Sequence, residues 1–550
     1  MNDLERARSA YQDGLRLLGE GLTQEAERCF EEAVRIFPAF ADAWCDLGFV
    51  LRRLGRTDDA ILALHQAILL EAPNATAHFN LGNALRNKGD LFGSVASYTK
   101  SIEADPKREN AYVNLSNLLI ENNQLDRAED VLLSAVEALP ESPAVWLNMA
   151  VLRHNQGRDN EALEAVETTI ALAPDNDQAH SNRAATHARL GQFDNALDAH
   201  ERALALAPNN PSHLIGLCDT LRAMGNYEKA LETCEKIIEL EPNNADARVT
   251  KGILSLLFGD FETGTKEYDW RWKTDEMKIP DLGASVWNGE PLQGKTILVY
   301  GEQGLGDTIQ FARYIPKLAV QGATVIVQCR PQLIRLLRSV EGTNAVGPWG
   351  VAVKGLDFHA PLLNLMCPLD TIPNDVPYVA PEETDLEEWY QRLGDKVEFQ
   401  VGVAWAGSPT HKGDKQRSIG IEVLKPLFDF PDVQFFSLQK HDRRDAGTVP
   451  HGVVDLAADL HDFADAAAAI ACLDLVITVD TAVAHLAGAL GKPVWVMLPF
   501  VPDWRWMLDR DDSPWYPTMR LFRQTKQGDW DGVLGNVQCA LRDRIGTQMG

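Results

Sequence analysis

Three short runs in the second half of the chain combine residue types and spacings that support chemistry. The first is GEQGLGD (301–307), between an apolar run (ILVY, 297–300) and a predicted helix (TIQFARYIPKLA). Strand, glycine turn and helix form the setting in which backbone amides cradle a phosphate. The glycines at 301, 304 and 306 do not fit the dinucleotide pattern G-x-G-x-x-G, and the lysine and Ser/Thr of a Walker loop are missing. Asp307 would repel a phosphate. In the first helical turn its carboxylate can act as a helix cap or as a general base, with Gly304 and Gly306 allowing close approach of the backbone.

The second run is GVAWAGSPTHKGDKQRSI (402–419), a predicted strand followed by a loop that holds Ser408, His411, Lys412, Lys415 and Arg417. Cations at a strand's carboxyl end suit a pyrophosphate, whose charge as a leaving group they would stabilise. The same cluster can equally be a solvated surface loop. The third run, VITVDTAVAHLAGALGKPVWVM (476–497), leads from a buried-looking strand through Asp480 and Thr481 into a helix of small residues. The helix start offers free amides to an anion, and Thr481 adds a hydroxyl. Ala482 is small enough to admit a close ligand, and His485 lies one turn on, on the same side as Thr481. Asp480 can also be a cap, and a histidine there can be a packed residue.

These runs sit in a region of alternating strands and helices. KTILVY and TVIVQC precede helical stretches, and a proline- and acid-rich gap (343–396) follows, with DFHAPLLNLMCPL inside it. QVGVAWAG, VQFFSLQ, LVITVD and KPVWVML then alternate with IEVLKPLF, DFADAAAAIACLD and TAVAHLAGALG, and a last helix begins near Asp529. The pattern predicts two doubly wound parallel sheets, with ligands beyond the carboxyl ends of the strands.

The first half is periodic. Glycines 21, 55, 89, 157, 191, 225 and 259 lie on a 34-residue grid, with Asn123 in the vacancy. Prolines 38, 73, 106, 140, 174, 208 and 242 follow, with a one-residue slip at Pro73, and Ala26, Ala60, Ser94, Ala128, Ala162, Ala196 and Ala230 keep register between them. This pattern resembles the tetratricopeptide repeat, a helix–turn–helix unit that stacks into a superhelix. The glycine takes the positive-φ turn, the small residue lets helices approach, and the proline ends the second helix. Seven repeats are clear, and a partial eighth runs out into EYDWRW. Asn80, Asn114, Asn148 and Asn182 recur at one position of successive repeats. Each amide has a donor and an acceptor, so the row can hold an extended polypeptide backbone or simply link helices.

The formal net charge of −27 argues against nonspecific nucleic-acid or anionic-membrane binding. Charges throughout the first twenty residues speak against a signal peptide, and no uncharged apolar stretch predicts a membrane span. Eight scattered cysteines without C-x-x-C fit a reducing compartment, taken as the cytoplasm, and give no zinc or other metal site.

LGD after the first strand, a lysine/arginine loop after a mid-chain strand, and HDFADAAAAIACLDLVITVDTAVAHLAGALGKPVW together resemble the heptosyltransferase-type glycosyltransferases. The combination with repeats is similar to bacterial repeat proteins that carry a heptosyltransferase-like domain, and in architecture to protein O-GlcNAc transferases. The resemblance implies a GT-B fold of two Rossmann-like halves. The expected domains are repeats at 1–272, a connector at 273–294, an acceptor-side half at 295–396 and a nucleotide-sugar-side half at 397–550. It implies Asp307 as general base, and Lys412 or Arg417 neutralising the diphosphate. Asp480, Thr481, Ala482 and His485 would lie around the nucleotide, with Ser408, Gly304 and Gly306 lining the donor site. Transfer is expected to invert configuration without a metal or other cofactor, the nucleotide-sugar being a co-substrate. The acceptor is expected to be a protein or glycan recruited by the repeats, and the oligomeric state is left open. The competing expectation is a non-catalytic peptide-binding scaffold with a degenerate nucleotide-binding module.

Overall fold

The computed structural model describes residues 2–71, 73–274, 277–369, 372–394, 399–411, 413–440 and 449–549. Among them, eight helix pairs follow one another, from Asp3–Gly19 with Thr23–Ile36 to Ala245–Phe258 with Phe261–Tyr268. The grid glycines all have positive φ, between 71° and 85°, and Asn123 takes the same turn at 54°. The small residues of the grid are buried, and Ser94 satisfies its hydroxyl on the Gly82 carbonyl at 2.8 Å. Inside the first helices, glycine makes room for a large neighbour. A Cβ on Gly14, Gly48 or Gly82 would stand 2.5–2.6 Å from Phe30, Leu64 or Tyr98. The second helices end at 36, 70, 104, 138, 172, 206 and 240, so the slip at Pro73 leaves the 34-residue period of helix ends intact.

Two compact units divide at Thr220/Leu221. The second contains the helices from Tyr227–Leu240 onward together with two parallel sheets, whereas the sequence places its boundary at residue 272. The last repeat has its own core partners in this unit: Phe261 meets Trp515 edge-on at 5.8 Å, and Tyr268 lies 6.4 Å from Trp504.

The first sheet comprises β1 (Ser285–Val286), β2 (Thr296–Tyr300), β3 (Thr324–Cys329), β4 (Thr343–Pro348) and β5 (Phe358–Pro361), in the order β1-β5-β2-β3-β4. The second comprises β6 (Phe399–Ala404), β7 (Val433–Ser437), β8 (Val453–Asp455), β9 (Leu475–Val479), β10 (Val494–Leu498) and β11 (Met519–Arg523), in the order β11-β10-β9-β6-β7-β8. Every pairing between these strands is parallel. In the second sheet the order is the doubly wound 3-2-1-4-5-6, which reverses between β6 and β9. In the first it reverses between β2 and β5. A doubly wound sheet opens its ligand crevice at that reversal, beyond the carboxyl ends. The core of the second sheet joins Val401, Val403, Ile477, Val479 and Met497 to Val533, Val537 and Leu541 of the helix Trp530–Met549.

Several elements depart from the sequence reading. The predicted helix TIQFARYIPKLA is split into Leu305–Phe311, a 3-10 turn Ala312–Tyr314 and Ile315–Val320. IEVLKPLF likewise becomes Ile421–Leu424 and a 3-10 turn Lys425–Phe428. Each contains a proline, which lacks the N–H an α-helix needs. The gap at 343–396 holds β4, β5 and the helix Glu383–Leu393. The connector at 273–294 contributes β1, paired with β5, and the buried Trp287. The expected junction at 396/397 lies outside the described residues. No helix among the described residues is long and apolar enough to cross a membrane.

Candidate active site

Asp307 sits in the first turn of the helix Leu305–Phe311, at the carboxyl end of β2 and therefore at the first reversal point. Its Oδ2 accepts the Gly304 N–H at 2.7 Å, so it does cap the helix. Oδ1 has another partner, Arg505 Nη2 at 2.7 Å, an ion pair without hydrogen-bond alignment. Arg505 lies in the 3-10 turn Trp504–Trp506 that follows β10, and its side chain is 7% exposed. Its Nη1 donates to Asp503 Oδ1 at 2.9 Å and its Nε to Gln310 Oε1 at 2.8 Å. Its guanidinium lies 4.3 Å from the centre of the Trp504 ring. A buried cation held by two carboxylates and an amide is thus fixed beside Asp307, and breaking such a set leaves an uncompensated charge.

The second reversal point supplies the rest. β9 ends at Val479, Asp480 follows it, and Thr481 caps the helix Ala482–Ala489, its Oγ1 accepting Val483 N–H at 3.3 Å. Asp480 is buried, which pushes its carboxyl up to about 6; the Asp503 charge adds to the rise and Arg417 opposes it. His485 is buried, bonded through Nδ1 to Tyr516 Oη at 3.0 Å and stacked on Trp506 at 5.2 Å. Burial, then the Arg505 charge, holds its imidazole down to about 3, so it is neutral at any ordinary pH.

Gly306 and Ala482 allow the two helix starts to meet. A Cβ on Gly306 would lie 2.8 Å from His485 Cδ2 and 3.3 Å from Ala482 Cα. Two helix N-termini, each with partial positive charge, therefore converge where Asp307, Asp480 and Asp503 gather. The smallness of Gly306 and Ala482 has a packing cause visible here.

The loop after β6 is tied to itself. Asp414 Oδ1 accepts the Ser418 hydroxyl at 2.9 Å, Ser418 Oγ accepts Gly407 N–H at 3.0 Å, and Arg417 Nε lies 3.5 Å from Asp414 Oδ1. Gly407 lies against Arg417, whose Nη2 would be 2.7 Å from a Cβ at that position. The Arg417 charge is felt at Asp480, His485 and His411, and the His411 ring also feels Asp503 and Asp307. This cation therefore shares the field of the acidic cluster. Ser408 is exposed, with its hydroxyl 2.8 Å from Thr410 Oγ1. Lys412 lies outside the described residues.

Asn80 and Asn148 are buried in the first unit. The Asn148 amide donates to Asn117 Oδ1 at 2.9 Å and Ser116 Oγ at 3.0 Å, and Asn114 donates to Asn83 Oδ1 at 2.9 Å, each across to the preceding repeat. Asn80 Nδ2 lies 3.6 Å from Cys45 Sγ, and Asn182 accepts from Gln178 at 3.0 Å. The donors of Asn114 and Asn148 thus serve repeat-to-repeat contacts.

Asp503, Arg505 and Trp506 were not singled out from the sequence. Their only local signal is PDWRW (502–506), two opposite charges among tryptophans, in a stretch with no strand or helix period.

Residues 11–69, 45–109 and 160–211 match one tetratricopeptide-repeat model, and residues 85–146 and 187–262 match another. Residues 431–496 match glycosyltransferase family 9 (heptosyltransferase), a segment that contains Asp480, Thr481, Ala482 and His485. A curated relative, Protein FlbA of Caulobacter vibrioides, is 26% identical over 334 residues, covering 53% of this chain and 54% of FlbA. The chain thus spans about half the length of that relative. Among solved structures, it is similar to a tetratricopeptide repeat protein from Parabacteroides merdae, at 17% identity over 46% of this chain and 99% of that one, TM-score 0.39. PilF of Pseudomonas aeruginosa matches at 19% identity over 38% of this chain and 95% of its own, TM-score 0.34. The chain carries tetratricopeptide repeats followed by a glycosyltransferase family 9 (heptosyltransferase) domain toward its C-terminal end.

Proposed function

We propose that the chain is a glycosyltransferase of GT-B type, moving a sugar from a nucleotide-diphosphate donor to a protein or glycan acceptor that the repeats recruit. The observation that carries this reading is the pairing of Asp307, from the reversal point of the first sheet, with Arg505, from the second. An acid and a buried cation from two doubly wound sheets meet beyond the carboxyl ends of both.

In this reading Asp307 takes the proton of the acceptor hydroxyl. Each carboxylate oxygen has two lone pairs, so the Gly304 and Arg505 contacts leave acceptor capacity on both. The acceptor proton becomes acidic late in glycosyl transfer, when a carboxylate within hydrogen-bond reach is an adequate base. Attack at the anomeric carbon forms the new C–O bond as the bond to the diphosphate breaks, inverting configuration. Arg417 or Lys412, with the amides at the start of the helix Ala482–Ala489, takes up the charge of the departing diphosphate. Neutral His485 holds Tyr516 and the Gly306 backbone in place and takes no part in proton transfer. No step is assigned to a metal. The row of asparagines is proposed to face a polypeptide through the carbonyl oxygens of Asn80, Asn114 and Asn148, that of Asn182 being taken by Gln178.

A second reading has an observation of its own. Both Asp307 oxygens already have structural partners, which suits a scaffold whose sugar-transfer site has become a fixed joint. Incubation of the full chain with a panel of nucleotide-diphosphate sugars separates the two. Donor turnover is expected; absence of both turnover and nucleotide binding would overturn the enzyme reading.

A further inference from the structure

The glycine turn that carries Asp307 contains a second acid, Glu302, whose side chain is 5% exposed. Its Oε1 lies 3.2 Å from Arg271 Nη2, while Oε2 is buried without a hydrogen-bond partner. Arg271 belongs to the short 3-10 helix Asp269–Lys273, which continues the last helical repeat, and its side chain is 4% exposed. This arginine is held through both of its terminal nitrogens, while its Nε is buried without a partner. Its Nη1 donates to Asp269 Oδ1 at 2.8 Å and to the Tyr268 carbonyl at 3.3 Å. Its guanidinium lies 4.8 Å from the ring centres of both Tyr268 and Trp272. Its Nη2 also donates to Asn364 Oδ1, which accepts Trp272 Nε1–H at 3.2 Å.

Asn364 stands in the turn just after β5, and Glu302 in the turn just after β2. These are the two lips of the first sheet's reversal point. Gln303 strengthens one lip by donating to Tyr268 Oη at 2.9 Å. The repeat's last residues therefore reach into the crevice where a doubly wound sheet binds its ligand, and Arg271 joins both lips. Burial pushes the Glu302 carboxyl up to about 7, with the Arg271 charge opposing the rise and that of Asp307 adding to it.

We infer that Arg271 is a positioning residue for Asp307: it occupies the crevice of the first sheet, locks the glycine turn to the β5 lip, and makes the end of the repeats part of the acceptor-side site. The consequence is directional. The first crevice takes no nucleotide, because the chain's own guanidinium and two aromatic rings fill it, and the donor is left to the second. The assignment of a base to Asp307 rests on the function proposed above; the lock itself does not.

The test uses the full chain, with hydrogen–deuterium exchange of residues 301–307 and 362–365 read beside turnover. Arg271→Met keeps the stem and removes the charge. It is expected to raise exchange in both lips and to lower kcat about tenfold to hundredfold, the range a misplaced catalytic group produces, with donor KM unchanged. Adding Glu302→Gln to Arg271→Met removes the stranded acid but does not rebuild the bridge, and is expected to leave exchange in both lips raised. Unchanged exchange in Arg271→Met, or a double variant as well protected as the unaltered chain, would overturn the lock. Loss of donor KM in step with kcat would overturn the positioning role. Should Arg271→Met not fold, Asn364→Ala breaks one lip alone, and an unaltered β5 turn there would equally overturn it. Absence of turnover in the unaltered chain would count against the proposed function, while the exchange data still decide the lock.

Discussion

The two parallel sheets reverse strand order in the same way, yet their crevices are furnished differently. At the first, the chain's own Arg271 lies against Tyr268 and Trp272 and is joined to Glu302 and Asn364. At the second, Asp480, Asp503 and Arg417 form a charged set that Arg505 links to Asp307. Both crevices hold a buried arginine, one bridging two turns of the same sheet and one linking the ends of the two sheets. The difference teaches that strand order alone predicts where a ligand site lies, and the side chains at the reversal decide whether it is kept open.

Removing the second arginine should do the greatest damage to this contrast. Arg505→Met leaves Asp307 and Asp503 without their shared cation, and breaking a buried pair in this way costs about 3–5 kcal/mol. Chemical denaturation would register the loss, together with vanishing turnover. A denaturation midpoint like that of the unaltered chain would show that the two crevices are not joined there.

Next in size is Gly306→Ala, which forces a methyl group to within 2.8 Å of the His485 ring and 3.3 Å of Ala482 Cα. Overpacking of this kind costs about 1–3 kcal/mol and should part the two helix starts. A smaller loss is expected for Gly89→Ala in the repeats, where φ is +81° and no atom lies within 4 Å of the new Cβ. Only the left-handed backbone opposes it, at about 1 kcal/mol. Equal losses for the two variants would remove the distinction between a glycine needed for contact and one needed for conformation.

The smallest effect is in pH. His485 falls from its ordinary 6.5 to about 3, so the unfolded chain takes up a proton below 6.5 that the folded chain refuses, and stability is lost as pH falls toward 3. Asp480 rises from 3.8 to about 6, so its unfolded form ionises first and stability is lost in the other direction, as pH rises from about 4 to about 6. The two slopes oppose each other. Thermal melts across this range should show His485→Gln losing less stability on acidification than the unaltered chain, and Asp480→Asn losing more.

How much of this was legible in the sequence follows the range of the interactions. The repeats were readable because every grid position answers to a neighbour within one period: a positive-φ glycine, a small residue under a helix, a proline past a helix end. The long apolar strands β2, β3, β6, β7, β9 and β10 were equally plain. β4 contains a glycine and a proline, β8 is three residues long, and β11 alternates arginine with apolar residues, so none reads as a core strand by composition. Asp307 and Asp480 stood out by lying just past strand ends, and Arg417 only as one candidate cation beside Lys412 in the loop after β6. Arg505 did not, because its hydrogen bond to Gln310 spans 195 residues, and its local pairing with Asp503 resembles any surface ion pair in the sequence. Arg271 was hidden in the same way, at the point where the repeat pattern stops.

Asp307, proposed as the base, is contacted from both sheets. The direct measurement is to compare Asp307→Asn with the unaltered chain for binding of nucleoside diphosphates by calorimetry and for turnover of the donor sugar identified in the panel. The asparagine keeps an oxygen that can accept the Gly304 N–H. Donor affinity is therefore expected to change little, while kcat falls by about 10²–10⁴, the range for loss of a general base. Retained turnover, or loss of binding and turnover in equal measure, would contradict the account and leave Asp307 as a helix cap in an ion pair.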